Sequence, residues 1–329
     1  MLRDVTIIGA GPVGLFGAFY AGLRGMTCRV MDALDEPGGQ LIALYPEKPI
    51  YDMPGFPEVL AADLVKELAR QADRFGPEYV LGETAKTLEN TENGFRIGTD
   101  RGEYDTRTII LCAGLGAFTP TQLGVPREAD FLGKGLSYGV KNKSDAEGKR
   151  CVVVGGGDSA CDWALGLLDV ASEVTLVHRR DGFRAHEETV RQLFTSPVKV
   201  RTFEVVTELI GEDNIEAVKV RNNKDASESL IECDRVVVCI GYKSSLGPLR
   251  DWGLELQKNK IVVDTTMRTN IPGVFAAGDV CAHDAKLDLI ATGVGEVCIA
   301  VNYAKTFIDP TAKTFPGHSS DMDLPQLRG

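Results

Sequence analysis

The chain has 329 residues, a length at which roughly 100–200 residues per domain predicts two domains. Hydrophobic residues make up 43% and charged residues 25%, which excludes a disordered chain, and no apolar run of about 18 residues marks a membrane span. Lysine and arginine number 36 against 47 acidic residues, and the net charge of −11 argues against nucleic acid as the main partner.

Met1-Leu2-Arg3-Asp4 runs straight into an apolar strand, without the charged leader and apolar stretch of a signal peptide. Val5, Ile7 and Ile8 predict that strand as buried, and Gly9-x-Gly11-x-x-Gly14 follows at once, opening an Ala/Gly/Leu-rich helix. The three glycines suit a tight turn, a close approach to a pyrophosphate, and helix-on-strand contact. The helix N-terminus offers free N–H groups and a positive dipole end to the phosphate. The next strand, 27–31, ends at Asp32, 23 residues after Gly9. An acid there accepts hydrogen bonds from both ribose hydroxyls and repels a 2′-phosphate, so the site suits FAD.

Residues 35–57 are punctuated by Gly and Pro and read as a loop rather than a helix. That loop carries Gln40, Tyr45, Tyr51 and Asp52. Residues 61–74 predict an amphipathic helix with Leu64, Val65 and Leu68 on one face. Residues 108–114 predict a strand ending in glycine, and a Gly-rich linker follows it.

Then the grammar repeats. Residues 151–154 predict a buried strand, and Gly155-x-Gly157-x-x-Ala160 opens a helix carrying Trp163, Leu165, Leu167 and Leu168. The strand 174–177 ends in His178-Arg179-Arg180, with Arg184 four residues beyond Arg180. A planar guanidinium binds a 2′-phosphate and stacks on adenine, so this site suits NADPH. Residues 236–242 close the unit, and KSSLGP reads as a second linker; both linkers are candidate hinges. Residues 274–279, VFAAGD, predict a strand whose glycine turn presents Asp279 to a small-residue helix at 291–304.

The expected fold is α/β, with two Rossmann-like dinucleotide-binding domains. An NADPH-binding domain, 118–245, is inserted into an FAD-binding domain built from 1–117 and 246–329. The eight cysteines lie at 28, 112, 151, 161, 233, 239, 281 and 298, and no two are separated by only two residues. That excludes a C-x-x-C redox pair and any common zinc knuckle, and no metal site is expected. Cys112, Cys151 and Cys239 fall in or beside strand-like runs, which points to a cytoplasmic, reduced protein.

The segments GAGPVG, GGQLIALYPEKPIYDMPGFP, GGGDSACDWAL, HRRDGFRAHE, AAGD and LIATGVGE together resemble the ferredoxin/flavodoxin–NADP(+) reductases of the thioredoxin-reductase-like type. The resemblance covers essentially the whole chain. It implies electron transfer between NADPH and a ferredoxin or flavodoxin, by hydride transfer to flavin followed by single-electron steps. It implies that Gly9, Gly11, Gly14 and Asp32 hold FAD, with Asp32 standing where the family usually has Glu. Gln40 and Tyr45 match residues that hold the flavin, with Tyr45 stacked on one ring face, and Ala85 and Phe118 match minor contacts. Asp279 matches the acid bonded to the ribityl chain.

In the tail, GHSSDMD resembles the family's His-Ser-Thr segment, placing His318 over the other flavin face and Ser320 near its polar edge. Family members are homodimers in which that tail covers the partner's flavin. Gly155, Gly157, Asp158, Ser159, Arg179, Arg180 and Arg184 make up the expected NADP site. The flavin carries the chemistry, so no residue is expected to act as a general acid or base. The alternatives are an NADPH-dependent disulfide or thioredoxin reductase, which would need a dithiol beside the flavin, and a nucleotide-binding module without turnover.

Overall fold

The computed structural model describes residues 1–114, 116–315 and 317–326, without the side chains of 117–119 and 244. The chain divides into two compact units, Met1–Phe118 with Ser244–Gly329, and Thr119–Lys243.

The first unit is organised by a seven-stranded sheet. Arg3–Ile8 lies at its centre, parallel to Cys28–Asp32 on one side and Glu103–Leu111 on the other. Glu78–Leu81 extends the sheet beyond Asp32, and Val274–Ala276 runs parallel to Glu103–Leu111. Gly94–Thr99 and Ala85–Thr91 complete it in antiparallel fashion. Val5 and Ile7 are fully buried, as a continuous apolar run in a sheet covered on both faces requires.

Helices α1 (Pro12–Leu23), α2 (Gln40–Leu44) and α3 (Ala61–Asp73) follow in the first half of the chain. Close packing against the long C-terminal helix Ile290–Ile308 uses small residues: a Cβ on Gly17 of α1 would stand 2.7 Å from Val297 Cγ2. Register aligns Ile8 with both Met31 and Leu111, and Leu111 with Ala276. The carboxyl ends of four strands therefore meet at one edge of the sheet, where parallel α/β sheets bind ligands.

The second unit has a five-stranded parallel sheet in the order Leu136–Ser137, Arg235–Cys239, Arg150–Gly155, Glu173–His178, Lys199–Thr202. Helices α4 (Asp158–Gly166) and α5 (Glu187–Thr195) belong to it. A three-stranded antiparallel meander spanning Glu204–Glu232 shares its core through Val206, Leu209, Val218, Val220 and Ile231. The C-terminal helix Ile290–Ile308 is labelled α6 below. Among the described residues, no helix is long and apolar enough to cross a membrane.

Three expectations are corrected. The 35–57 segment is not loop throughout: Gln40–Leu44 is helical because Leu41 is buried with Leu15, Leu64 and Leu68, and Pro49–Ile50 pairs with Val59–Leu60. Helix α4 stops at Gly166, so Leu167 and Leu168 lie in the turn after it, with the Leu167 N–H still donated to the Trp163 carbonyl. The segments read as linkers contain strands, Ala117–Pro120 and Tyr242–Ser245, which pair with each other in a two-stranded sheet.

Candidate functional site

In the first unit the glycine turn divides its work among three residues. Gly9 has φ +113°, and a Cβ there would stand 2.2 Å from the Cys112 carbonyl oxygen. A Cβ on Gly14 would stand 1.8 Å from the Gly9 oxygen. These two glycines serve packing. Gly11, by contrast, has no atom within 4 Å of where its Cβ would be, so space is open above it. It is also the N-cap of α1, which has no side-chain cap and no acidic residue in its first turn. The first N–H groups and the dipole end are left uncompensated, as an anion site requires.

Asp32, at the end of its strand, is clamped by backbone. Its Oδ2 accepts the Ala10 N–H at 2.6 Å and its Oδ1 accepts the Leu34 N–H at 2.9 Å. Burial pushes the carboxyl above its usual range, while the bonds from Leu34 and Ala10 oppose that rise. Each oxygen keeps a lone pair for a further donor, which suits a ribose diol. Glu83 donates its N–H to the Asp32 carbonyl at 3.1 Å, bringing the segment before buried Ala85 alongside.

The loop after Asp32 folds back on the turn: Gly38 N–H donates to the Ala10 carbonyl at 2.8 Å. Gln40 then opens α2 near Gly114, where a Cβ would stand 3.4 Å from Gln40 Nε2. Tyr45 caps α2 and packs on the Leu15, Leu41 and Leu64 cluster. Burial raises the pKa of its hydroxyl, and the charge of Asp279 raises it further, so the two side chains lie within electrostatic reach. Asp279 follows Gly278, whose φ of +80° favours glycine and which packs on Val13 of α1. Burial and then Asp288 push the Asp279 carboxyl up, against the pull of Lys286 and Lys260.

Gly9, Gly11, Gly14, Asp32, Gln40, Tyr45 and Asp279 thus gather around one sheet edge. The side chain of Phe118 lies outside the described residues. His318 and Ser320 are exposed, and among the described contacts the tail reaches none of Gln40, Tyr45 or Asp279. The His318 ring instead meets Phe315 edge-on at 5.4 Å, and Arg24 Nη2 donates to the Lys313 carbonyl at 2.5 Å.

In the second unit a Cβ on Gly155 would stand 2.3 Å from the Cys239 carbonyl oxygen, while Gly157 faces open space. Gly157 is the N-cap of α4, again without a side-chain cap. Asp158 places an acid in the first turn, and its Oδ1 accepts the His186 N–H at 3.0 Å. Ser159 follows in the same turn. The Arg184 N–H donates to the Gly156 carbonyl at 2.7 Å, folding residues 178–184 back over the glycines.

His178 is buried beneath Gly156 and its ring meets that of Phe183 at 4.8 Å with a 35° tilt, with Nε2 3.1 Å from the Gly182 carbonyl. Burial lowers its pKa, the Gly182 bond opposes this, and Arg180 and Arg179 lower it further. Arg179 and Arg184 are exposed and Arg180 is half-buried, its Nε lacking any hydrogen-bond partner. None of the three guanidiniums forms an ion pair with a described residue.

All eight cysteines are unpaired thiols. Burial pushes Cys151 and Cys161 up to about 11 and Cys233 and Cys239 up to about 12, so none of these is poised as a thiolate near neutral pH. A group that sequence reasoning missed is the Cys281, His283, Lys286 and Glu296 cluster behind Asp279. Its signal is the one acidic residue of the helix Ile290–Ile308, set between Gly295 and Val297.

A family model described as pyridine nucleotide-disulphide oxidoreductase matches residues 3–301. The chain is 49% identical over 328 residues to a ferredoxin–NADP reductase of Thermus thermophilus, covering 98% of each chain. It is 51% identical over 321 residues to ferredoxin–NADP reductase 2 of Shouchella clausii, covering 97% of each. Among solved structures it is similar to T. acidophilum thioredoxin reductase, with TM-score 0.79 and 28% identity over 94% of this chain and 99% of that one. Lactococcus lactis thioredoxin reductase gives TM-score 0.78 and 29% identity over 93% and 99%.

Proposed function

The chain belongs to the pyridine nucleotide-disulphide oxidoreductases, as a ferredoxin–NADP reductase of the thioredoxin-reductase-like type, and from that premise we propose how its residues work. FAD is held by the first unit, NADPH by the second, and electrons pass between NADPH and a ferredoxin or flavodoxin. The observation that carries this division is the opposite charge at two equivalent strand ends. Asp32 presents a backbone-clamped carboxylate, whereas Arg179, Arg180 and Arg184 present guanidiniums with no ion-pair partner among the described residues.

Bound flavin would supply the acceptance of one hydride, two electrons with a proton, and the release of those electrons one at a time. The chain's own residues bind and orient. Open space at Gly11 and the bare first turn of α1 accommodate the FAD pyrophosphate, and Asp32 accepts from the ribose hydroxyls. Gln40 and Tyr45 hold the ring system, Asp279 the ribityl chain, and Ala85 with Phe118 make minor contacts. Gly155, Gly157, Asp158 and Ser159 form the NADPH turn, and the three arginines take the 2′-phosphate. Hydride transfer needs no side-chain acid or base. His318 and Ser320 serve the flavin of a second copy of the chain, which fits a tail that does not reach its own unit's Tyr45 in the described contacts.

The likeness to thioredoxin reductases supports the fold, but disulfide exchange requires an accessible thiolate pair, and this sequence has no C-x-x-C. The purified protein should be yellow, bleach anaerobically with NADPH, and reduce ferredoxin or flavodoxin at a rate that depends on salt. A yellow protein that keeps its colour with NADPH would sink the catalytic reading, and robust thioredoxin turnover would replace it with disulfide reduction.

A further inference from the structure

Glu296 stands in the second turn of α6 and is 5% exposed. Its Oε2 accepts the Gly278 N–H at 2.8 Å and a Cys281 Sγ contact at 3.5 Å. Its Oε1 lies 3.0 Å from His283 Nε2, and Lys286 Nζ lies 2.9 and 2.8 Å from the two oxygens. Lys286 is itself buried, 8% exposed at its side chain. A charge placed this deep is costly unless its lone pairs are filled, and here four groups from the 278–286 segment fill them. That segment begins with Gly278, the residue that immediately precedes Asp279.

The cluster also has the composition of a metal site, since Cys281, His283 and Glu296 offer ligand atoms within 4.8 Å of one another. The ammonium of Lys286 already bridges both carboxylate oxygens, and burial pushes the Cys281 thiol up to about 12. A cation would have to displace a buried, ion-paired lysine and deprotonate that thiol. The ammonium is therefore the better occupant.

We propose that Glu296, neutralised by Lys286, is the positioning residue of the flavin site: it fixes the Gly278 peptide and thereby the direction of Asp279. The inference rests on the assignment of Asp279 to the flavin. At Gly278, φ is +80°, and the Cys281 N–H closes the turn locally on the Gly278 carbonyl at 3.0 Å, but that bond does not tie the turn to α6. The Glu296 acceptor supplies that tie from 18 residues away. Lys286 offsets the repulsion that would otherwise set Glu296 against Asp279, with Lys260 and Asp288 completing the ring of charges around Asp279.

The test compares full-length protein stripped of flavin and titrated with FAD, followed by flavin fluorescence, with thermal melts of the stripped protein. Glu296→Leu and Glu296→Gln are each made together with Lys286→Met, so that no lone ammonium is left buried. The Gln pair keeps an acceptor for Gly278, and its FAD Kd should stay within about threefold of native. The Leu pair loses the acceptor, and its Kd should rise at least about tenfold while the two pairs melt together.

Equal FAD affinity in the Leu and Gln pairs would overturn the proposal, as would stoichiometric zinc in the native protein that is lost with Glu296. Asp279→Ala separates the two levels. If it weakens FAD and the Leu pair does not, the positioning role alone fails. If Asp279→Ala leaves FAD affinity untouched, the flavin-site assignment fails with it.

Discussion

The turn after Arg3–Ile8 and the turn after Arg150–Gly155 are one device built twice, and they differ where the neighbouring strand ends. Both have a φ-positive first glycine pressed against a carbonyl at the end of an adjacent strand, that of Cys112 just past one strand and that of Cys239, last of the other. Both have an N-cap glycine facing open space, Gly11 and Gly157. The first unit then presents a carboxylate tied down by Ala10 and Leu34, the second a loop tied down through Arg184 N–H to Gly156. On the proposed function, the shared part binds the anion by backbone and is indifferent to nucleotide. The strand-end charge, negative at Asp32 and positive at Arg179 and Arg180, is then what sorts a ribose diol from a ribose phosphate.

The largest effect that would break this contrast is removal of the second unit's charge. Arg179→Ala combined with Arg180→Ala should cut kcat/KM for NADPH by a factor on the order of 10²–10⁴, from two charge-assisted contacts of about 1.5–3 kcal/mol each. Steady-state kinetics with NADH should change by less than about threefold. Matching losses with both nucleotides would place these arginines elsewhere in the mechanism.

Next in size is the packing glycine. Gly14→Ala puts a methyl 1.8 Å from the Gly9 oxygen and should destabilise the first unit by about 3 kcal/mol, seen in denaturant unfolding. Gly11→Ala should leave unfolding of the flavin-stripped chain unchanged and weaken FAD instead. If the two substitutions behave alike, the division of labour within the turn is wrong.

Asp32→Ala should weaken FAD by about 1.5–3 kcal/mol in a titration of stripped protein, through loss of an ionised acceptor. An unchanged affinity would remove Asp32 from the ribose site.

The smallest effect concerns pH. Burial holds the pKa of His178 below its unfolded value, so the unfolded chain takes up the proton first as pH falls. Its contribution to stability is fully present above the ordinary histidine range and is lost as pH drops from there toward the lowered folded value. Unfolding of the native chain should show this slope, and His178→Phe should flatten it. A slope that survives the substitution would assign it to other groups.

Asp32 and Arg179-Arg180 were legible because each stands at or just past the end of a strand in a local strand–turn–helix–strand pattern of about 30 residues. Helix α3 was legible for the same reason, since its apolar stripe at Leu64, Val65 and Leu68 is a local period. The short helix Gln40–Leu44 was not, because Gly and Pro on both sides mask a segment that is helical only through burial of Leu41 against α1 and α3.

The sequence by itself determined that two strand–glycine turn–helix units exist, which of them bears which charge at the next strand end, and that no two cysteines are spaced as C-x-x-C. These are properties of neighbours along the chain. Only the tertiary structure decided that Gly9, Gly14 and Gly155 are packing residues while Gly11 and Gly157 face space, because the decisive atoms include the carbonyls of Cys112 and Cys239. The tertiary structure also joined Glu296 to Gly278 and Lys286, a buried ion pair that no period or spacing announces. A charge can be buried only where distant segments converge to satisfy it, and that convergence belongs to the fold.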